Sequence, residues 1–143
     1  MDGLRERRQL SLEIALRLLA QVREEAATRG LPLAAAVVDD GGHLLASERM
    51  DGAALGAMQL AIGKAYTSVL WGTPSGDFME STQPGGHDWG WNTTDERIVV
   101  YAGGVPLFAE GLLVGGVGAS GGAAADDEAC VVSGIRALGF SVE

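Results

Sequence analysis

Cysteine, basic side chains and long apolar runs are scarce in this chain, and each scarcity excludes a class of protein. One cysteine in 143 residues excludes an internal disulfide framework and favours a reducing compartment. The 10 Lys and Arg are outnumbered by 19 Asp and Glu, and the net charge of −9 repels nucleic acids and anionic lipids. No apolar run approaches the ~20 residues of a membrane span, and no secretory signal is visible. We therefore expect a cytoplasmic protein that binds neither nucleic acid nor membranes.

Glycine and apolar residues are plentiful instead. Hydrophobic residues make up 47% of the chain, which is enough to bury one core, and no linker divides the sequence. We therefore expect residues 1–143 to form a single domain. The 22 glycines cluster in the second half without a fixed period. This distribution predicts tight turns and close backbone packing.

Hydrophobic periodicity predicts nine elements in the order α-β-β-α-α-β-β-β-α. Helical spacing of apolar residues and an N-cap followed by Pro74 predict helices at about 11–29, 53–70, 74–81 and 123–138. Short apolar runs between turn residues predict strands at about 33–38, 43–50, 97–102, 105–108 and 112–118. Turns as short as Gly103-Gly104 join antiparallel neighbours. The fold class is therefore α+β, a layered domain with a mainly antiparallel five-stranded sheet.

Two catalytic motifs overlap in the glycine-rich stretch that precedes the last helix. Gly116–Gly121 matches the dinucleotide fingerprint, yet only 21 residues follow Gly122, too few for the second parallel strand of that fold. Gly118–Gly122 matches the hydrolase nucleophile elbow, but both histidines precede Ser120. We interpret both matches as coincidental. What remains is a turn whose backbone N–H groups could bind an anion, with Gly118, Ser120 and Gly121 as candidate ligand-binding residues.

Residues 82–96 form the longest segment without periodicity, and loops of this length are usually functional. His87 and Asp88 lie together in it, and a histidine beside a carboxylate can act as a general base or as an axial metal ligand. Trp89 and Trp91 could line a pocket for a flat ligand. Glu96 could add a further acid/base group. A solvent-facing loop histidine is the competing interpretation.

Three charged residues outside this loop are also candidates for ligand binding. Arg49 and Asp51 precede the second helix, and Arg49 could hold a carboxylate in bidentate fashion or form an ordinary ion pair. Lys64 lies among apolar residues of that helix, at a pocket, at an interface or extended into solvent. Two histidines and one cysteine give no metal-site spacing, so no metal centre is predicted.

Six motifs in order carry a resemblance that covers about residues 9–139. They are Asp39-Asp40-Gly41-Gly42-His43-Leu44, Arg49-Met50-Asp51-Gly52-Ala53, Lys64-Ala65, Gln83-Pro84-Gly85-Gly86, Gly103-Gly104-Val105-Pro106-Leu107 and Val114 to Gly122. The chain resembles the GlcG/HbpS family, which is related to the C-terminal domain of PduO. The resemblance implies an α/β/α layered domain with a five-stranded antiparallel sheet, assembled into homo-oligomers of up to eight subunits.

The resemblance also implies several functions. Some members bind haem or are linked to its degradation and to iron storage, PduO-type members accompany cobalamin chemistry, and others accompany glycolate or aromatic-acid catabolism. Haem-linked members are expected to use a histidine in or before the first helix, whereas the first histidine here is His43.

Three functions follow as hypotheses. The first is a homo-oligomer that binds a small molecule or a tetrapyrrole, with haem as the possible cofactor. The second is a cofactor-independent isomerase, lyase or hydrolase acting on a small polar or carboxylated metabolite, with His87 as acid/base and Arg49 as a carboxylate clamp. The third is an accessory oligomer without a ligand.

Overall fold

The computed structural model describes residues 2–143 as three α-helices around an antiparallel sheet. The helices are α1 (Leu12–Thr28), α2 (Ala57–Trp71) and α3 (Ala124–Ala137), and the strands are β1 (Ala34–Asp39), β2 (Leu44–Arg49), β3 (Gly104–Ala109) and β4 (Leu112–Ser120). Two short 3₁₀ helices, Ser75–Phe78 and Trp91–Thr93, lie between α2 and β3. The α+β class is confirmed, and the short helix predicted at 74–81 is the first of these 3₁₀ turns.

The four strands follow the order β2-β1-β4-β3, and every neighbouring pair is antiparallel. Side chains alternate between the two faces of the sheet. Ala35 and Val37 of β1 join the main core with α1 and α3, whereas Ala34 and Ala36 pack against α2. The sheet is therefore covered by α1 and α3 on one face and by α2 on the other.

Helix α2 sits on a patch of the sheet that has almost no side chains. A Cβ on Gly118 would lie 2.1 Å from the carbonyl oxygen of Ala61, and a Cβ on Gly104 would lie 2.0 Å from that of Lys64. Both distances are far below van der Waals contact, so only glycine permits this approach. The glycines of β3 and β4 thus let the backbone of α2 rest directly on the sheet.

The prediction of five strands was wrong, because residues 97–102 lie outside the sheet. They cross the outer side of α2, where Thr67 Oγ1 accepts a hydrogen bond of 2.9 Å from the Val99 N–H. A Cβ on Gly63 would lie 2.4 Å from a methyl carbon of Val99, so the segment packs tightly on the helix. Helix α2 is consequently covered on both sides. A short apolar run signals burial in either setting, which explains the error.

We expect Thr67→Val to loosen this segment from α2. The Thr67 side chain is fully buried, and valine keeps its shape but removes the acceptor for the Val99 N–H. The free energy of unfolding should fall by about 1–3 kcal/mol, the cost of an unsatisfied buried donor. Amide hydrogen exchange at Val99 should accelerate. Thr28→Val is the control, because the Thr28 hydroxyl is exposed and bonds only within α1. Unchanged exchange at Val99 would contradict this account.

None of the helices in residues 2–143 combines the length and hydropathy needed to cross a membrane. The cytoplasmic location stays a prediction.

Candidate functional site

Three cavities lie along the outer side of α2, where residues 73–101 cover it. The first, here called the aromatic cavity, has a volume of about 320 Å³. The second, the middle cavity, measures about 250 Å³, and the third, the tyrosine cavity, about 480 Å³. The middle and tyrosine cavities share Leu60 and Val99 as walls. Candidate ligand sites are therefore concentrated on one side of the molecule.

The aromatic cavity is built from the ends of three separate elements. Trp71 is the last residue of α2, Phe78 ends the first 3₁₀ helix and Trp91 begins the second. The ring centroids of Phe78 and Trp91 are 5.0 Å apart, and those of Trp71 and Trp91 are 6.1 Å apart, all in tilted arrangements. Trp71 is 61% exposed despite this packing. Such an open aromatic wall suits a flat apolar ligand.

Asp88 lies at this cavity, and His87 precedes it in the chain. Asp88 lines it, and the Asp88 N–H bonds to the carbonyl oxygen of Ser81 at 3.0 Å, which holds the loop in place. His87 Nε2 lies 3.2 Å from Asp88 Oδ2, and the His87 side chain is 85% exposed. A neutral imidazole has one ring nitrogen free to bind a metal ion. The two residues named from the sequence are thus in contact at the surface.

The other loop candidates lie in different cavities. Trp89 lines the middle cavity, where it is 65% exposed, and Glu96 lines the tyrosine cavity. The structure therefore brings His87 and Asp88 together but separates both from Glu96. A catalytic role for these three residues stays a prediction.

Arg49 and Asp51 lie at the end of the hairpin formed by β1 and β2. Arg49 is the last residue of β2, pairs with Ala34 in the sheet and is exposed. Asp51 follows in an exposed turn. Neither residue lines any of the three cavities. Their predicted ligand contacts, including the carboxylate clamp at Arg49, stay predictions.

Lys64 is buried and paired with Asp127, which the sequence did not predict. Its ammonium group donates to the carbonyl oxygen of Ala119 at 3.0 Å and to Asp127 Oδ2 at 3.3 Å. Lys64 is 2% exposed and Asp127 is 1% exposed, so this is a buried ion pair between α2 and α3. Burial lowers the pKa of Lys64, although Asp127 opposes that shift. The pair joins two layers of the fold, and a ligand-binding role for Lys64 stays a prediction.

The glycine-rich stretch has a packing role in the structure. Gly118 lies inside β4, opposite Ala36 on one side and Gly104 on the other. Ser120 ends the strand and is buried, and Gly121 follows with a φ of 148°. The next amide, that of Gly122, donates to Asp127 Oδ1 at 2.8 Å. The turn before α3 thus already has a carboxylate from its own chain, and anion binding at these positions stays a prediction.

Sequence reasoning missed the polar cluster of the tyrosine cavity. The Tyr66 hydroxyl donates to Asp95 Oδ2, and Arg97 donates to the same carboxylate through Nε at 3.0 Å and Nη2 at 2.8 Å. The Arg97 guanidinium lies 4.2 Å from the centroid of the Tyr66 ring. Donation by Arg97 and then by Tyr66 holds the pKa of Asp95 far below its usual range. The only signal in the sequence was Asp95-Glu96-Arg97, which is typical of an ordinary charged turn.

Comparison with known proteins identifies the family. The family sequence model described as "Haem degrading protein HbpS-like" matches residues 10–136. The chain belongs to the HbpS-like family. GlcG of Escherichia coli K12 is 35% identical over 111 residues, which cover 78% of this chain and 81% of GlcG. The corrinoid adenosyltransferase PduO of Citrobacter freundii is 30% identical over 136 residues, 92% of this chain but 41% of PduO.

A solved structure extends the HbpS-like comparison to three dimensions. The crystal structure of PduOC in complex with haem matches this chain with a TM-score of 0.89 and 29% identity, over 94% of this chain and 99% of that one. The resemblance to the GlcG/HbpS family is therefore confirmed, whereas the sheet of this HbpS-like chain has four strands instead of five.

The aromatic cavity has part of the chemistry that a haem-type ligand needs. Three aromatic side chains offer apolar faces to a flat macrocycle. His87 lies outside the lining, next to Asp88, and its imidazole is a ligand of the kind that binds haem iron.

Proposed function

We propose that this protein binds a haem-type tetrapyrrole at the aromatic cavity. The observation that carries the proposal is the cluster of exposed Trp71 with half-buried Phe78 and Trp91, lined also by Asp88, which contacts His87. The haem complex of PduOC and the description of the HbpS-like family support the same ligand class. Haem bound here would supply an iron centre. The residues of this chain would bind the ring and orient the iron ligand.

Each residue has a separate task in this proposal. Trp71 and Trp91 contact the macrocycle and exclude water from its faces, which is the main source of affinity. His87 would supply a ring nitrogen to the iron. Asp88, whose carboxylate lies 3.2 Å from His87 Nε2, would help to orient the ring.

We also propose that the protein forms a homo-oligomer. Large apolar side chains are exposed on α2 and on residues 73–101: Leu60, Leu70, Trp71, Met79, Trp89 and Tyr101. Large apolar patches are uncommon on soluble monomers, and contact with a second copy would remove such side chains from water. Light scattering coupled to size exclusion should report a mass that is a multiple of 14.7 kDa. A monomeric mass at micromolar protein would contradict self-association.

Titration with haemin tests the proposed ligand. Wild-type protein should shift the Soret band in a saturable manner, and His87→Ala should weaken binding by roughly tenfold or more through loss of the iron ligand. Asp88→Asn should weaken it about tenfold through loss of the orienting carboxylate. His43→Ala is the matched control, because His43 is also exposed but lies at the turn between β1 and β2.

The controls decide between specific and adventitious binding. Equal haem affinity of the wild type and His87→Ala would contradict the assigned iron ligand. Equal affinity of the wild type and Trp91→Ala would contradict the aromatic cavity itself. A saturable shift lost only in the cavity variants would support both.

A further inference from the structure

The tyrosine cavity is separate from the proposed tetrapyrrole site and has a different chemistry. Its lining includes Leu60, Ile62 and Val99 as apolar walls and Gln59, Glu96 and Arg97 as polar groups. None of these residues lines the aromatic cavity. We propose that the tyrosine cavity binds a small zwitterion of the α-amino acid class with an aliphatic side chain.

The size and the walls of the cavity suit such a ligand. Its volume of about 480 Å³ lies within the usual range of small-molecule sites, roughly 300–1,000 Å³. The walls are fixed by close packing, since a Cβ on Gly42 would lie 2.8 Å from the Tyr66 ring and one on Gly63 would lie 2.4 Å from Val99. Because Gly42 and Gly63 have no side chains, the β1–β2 turn packs directly on Tyr66 and α2 packs directly on Val99. An aliphatic side chain would pack against the apolar walls.

Arg97 is held ready to bind a carboxylate. Its Nε and Nη2 are fixed by Asp95, and its guanidinium stacks on the Tyr66 ring. Within residues 2–143, Nη1 forms no hydrogen bond, so this donor is left for a ligand. A guanidinium already fixed on two sides loses little conformational freedom when a ligand binds.

Glu96 supplies the opposite charge at the same cavity. It lies beside Arg97 in the chain, and among the described residues it makes no salt bridge. Its carboxylate can accept hydrogen bonds from an ammonium group. The two neighbouring side chains therefore present one positive and one negative group to a single ligand.

Charge and hydrogen bonding together favour a zwitterion over simpler ions. A plain carboxylate would be repelled by Glu96 and by the net charge of −9. A plain amine would be attracted by the same charges but would leave Arg97 Nη1 without an acceptor. An α-amino acid satisfies both groups at once and carries no net charge.

L-leucine is the probe that tests this site, with 4-methylpentanoate and 3-methylbutylamine as analogues that lack the ammonium and the carboxylate respectively. In titrations followed by ¹⁵N-HSQC spectra, leucine should shift the amides of Gly42, Gly63 and Val99 in a saturable manner. Each analogue should bind at least about tenfold more weakly, since each loses one charge-assisted contact.

Matched variants distinguish a loss of leucine binding from a loss of folding. Glu96→Gln and Arg97→Gln should each weaken leucine binding about tenfold, whereas Glu80→Gln and Arg136→Gln, which change exposed residues outside the cavity, should leave it unchanged. Because Glu96 is exposed, its variant should fold normally even where Arg97→Gln does not. The proposal is overturned if leucine causes no shifts up to about 10 mM, if either analogue binds as tightly as leucine, or if Glu96→Gln binds like the wild type. Haemin titration tests the aromatic cavity and leucine titration tests the tyrosine cavity, so either proposal can be contradicted without affecting the other.

Discussion

Asp127→Ala is expected to lower the free energy of unfolding by about 3–5 kcal/mol, the cost of leaving a buried charge without its partner. Lys64 is 2% exposed, so removing the carboxylate leaves its ammonium group buried without its ionic partner. The Gly122 amide loses its acceptor in the same variant. Urea denaturation followed by circular dichroism measures the change. Asp126→Ala is the matched control, because Asp126 is an exposed carboxylate in the same helical turn and its removal should cost no more than about 1 kcal/mol.

The pH dependence of this variant follows from the pKa of Lys64. Burial already lowers that pKa from 10.5, and removing Asp127 removes the two effects that raise it. The unfolded chain then binds more protons than the folded one between the lowered pKa and 10.5, so stability rises with pH across that window. Asp127→Ala should therefore recover part of its loss as the pH approaches 10.5. The double variant Lys64→Met/Asp127→Leu should be more stable than Asp127→Ala, because an apolar pair replaces the charges. It should also lose the pH dependence that comes from Lys64. Equal loss in the Asp126 and Asp127 variants would contradict a role specific to the ion pair.

Gly118→Ala is expected to destabilise the protein by at least about 3 kcal/mol, at or above the upper end of typical overpacking costs. The new Cβ would lie 2.1 Å from the carbonyl oxygen of Ala61 and 2.6 Å from the amide nitrogen of Ala65. Both neighbours belong to the backbone of α2, so no side-chain rotation can relieve the clash and the helix must move. The midpoint of thermal or urea unfolding measures the effect.

Gly56→Ala is the control for the loss of a glycine. Gly56 precedes α2 with a φ of −74°, and no atom lies within 4 Å of the position that the new methyl group would take. This variant should change stability by less than about 1 kcal/mol. If Gly118→Ala is as stable as Gly56→Ala, then α2 does not rest on the backbone of β4 as described.

Local patterns in the sequence predicted most elements of the fold. The periodicity of residues 11–29 predicted α1, where Ser11 accepts a hydrogen bond from the Ile14 N–H, and Asp39–Gly42 predicted the turn between β1 and β2. These features depend on neighbours a few residues apart, and for that reason a sequence can show them. Residues 97–102 have the same apolar character as a strand, but their partner is α2, and local composition does not distinguish the two.

The site was harder to predict because its groups come from distant parts of the chain. The loop at 82–96 did contribute Asp88 and Trp91 to a cavity, whereas Trp71 and Phe78 join them from the ends of other elements. Lys64 and Asp127 are 63 positions apart, and Tyr66 and Asp95 are 29 apart. Asp127 lies in the first turn of α3, where a carboxylate also complements the helix dipole, so its sequence position does not reveal Lys64 as its partner.

The contact of α2 with bare glycines has a consequence for how this scaffold can diversify. Backbone atoms locate the helix, so its position does not depend on the rotamers of interlocking side chains. Leu60, Tyr66 and Trp71 project from the same fixed helix into three cavities. Substitutions of such lining residues can change ligand preference without moving the helix. The sheet side of α2 sets the architecture, and its outer side is open to variation in chemistry.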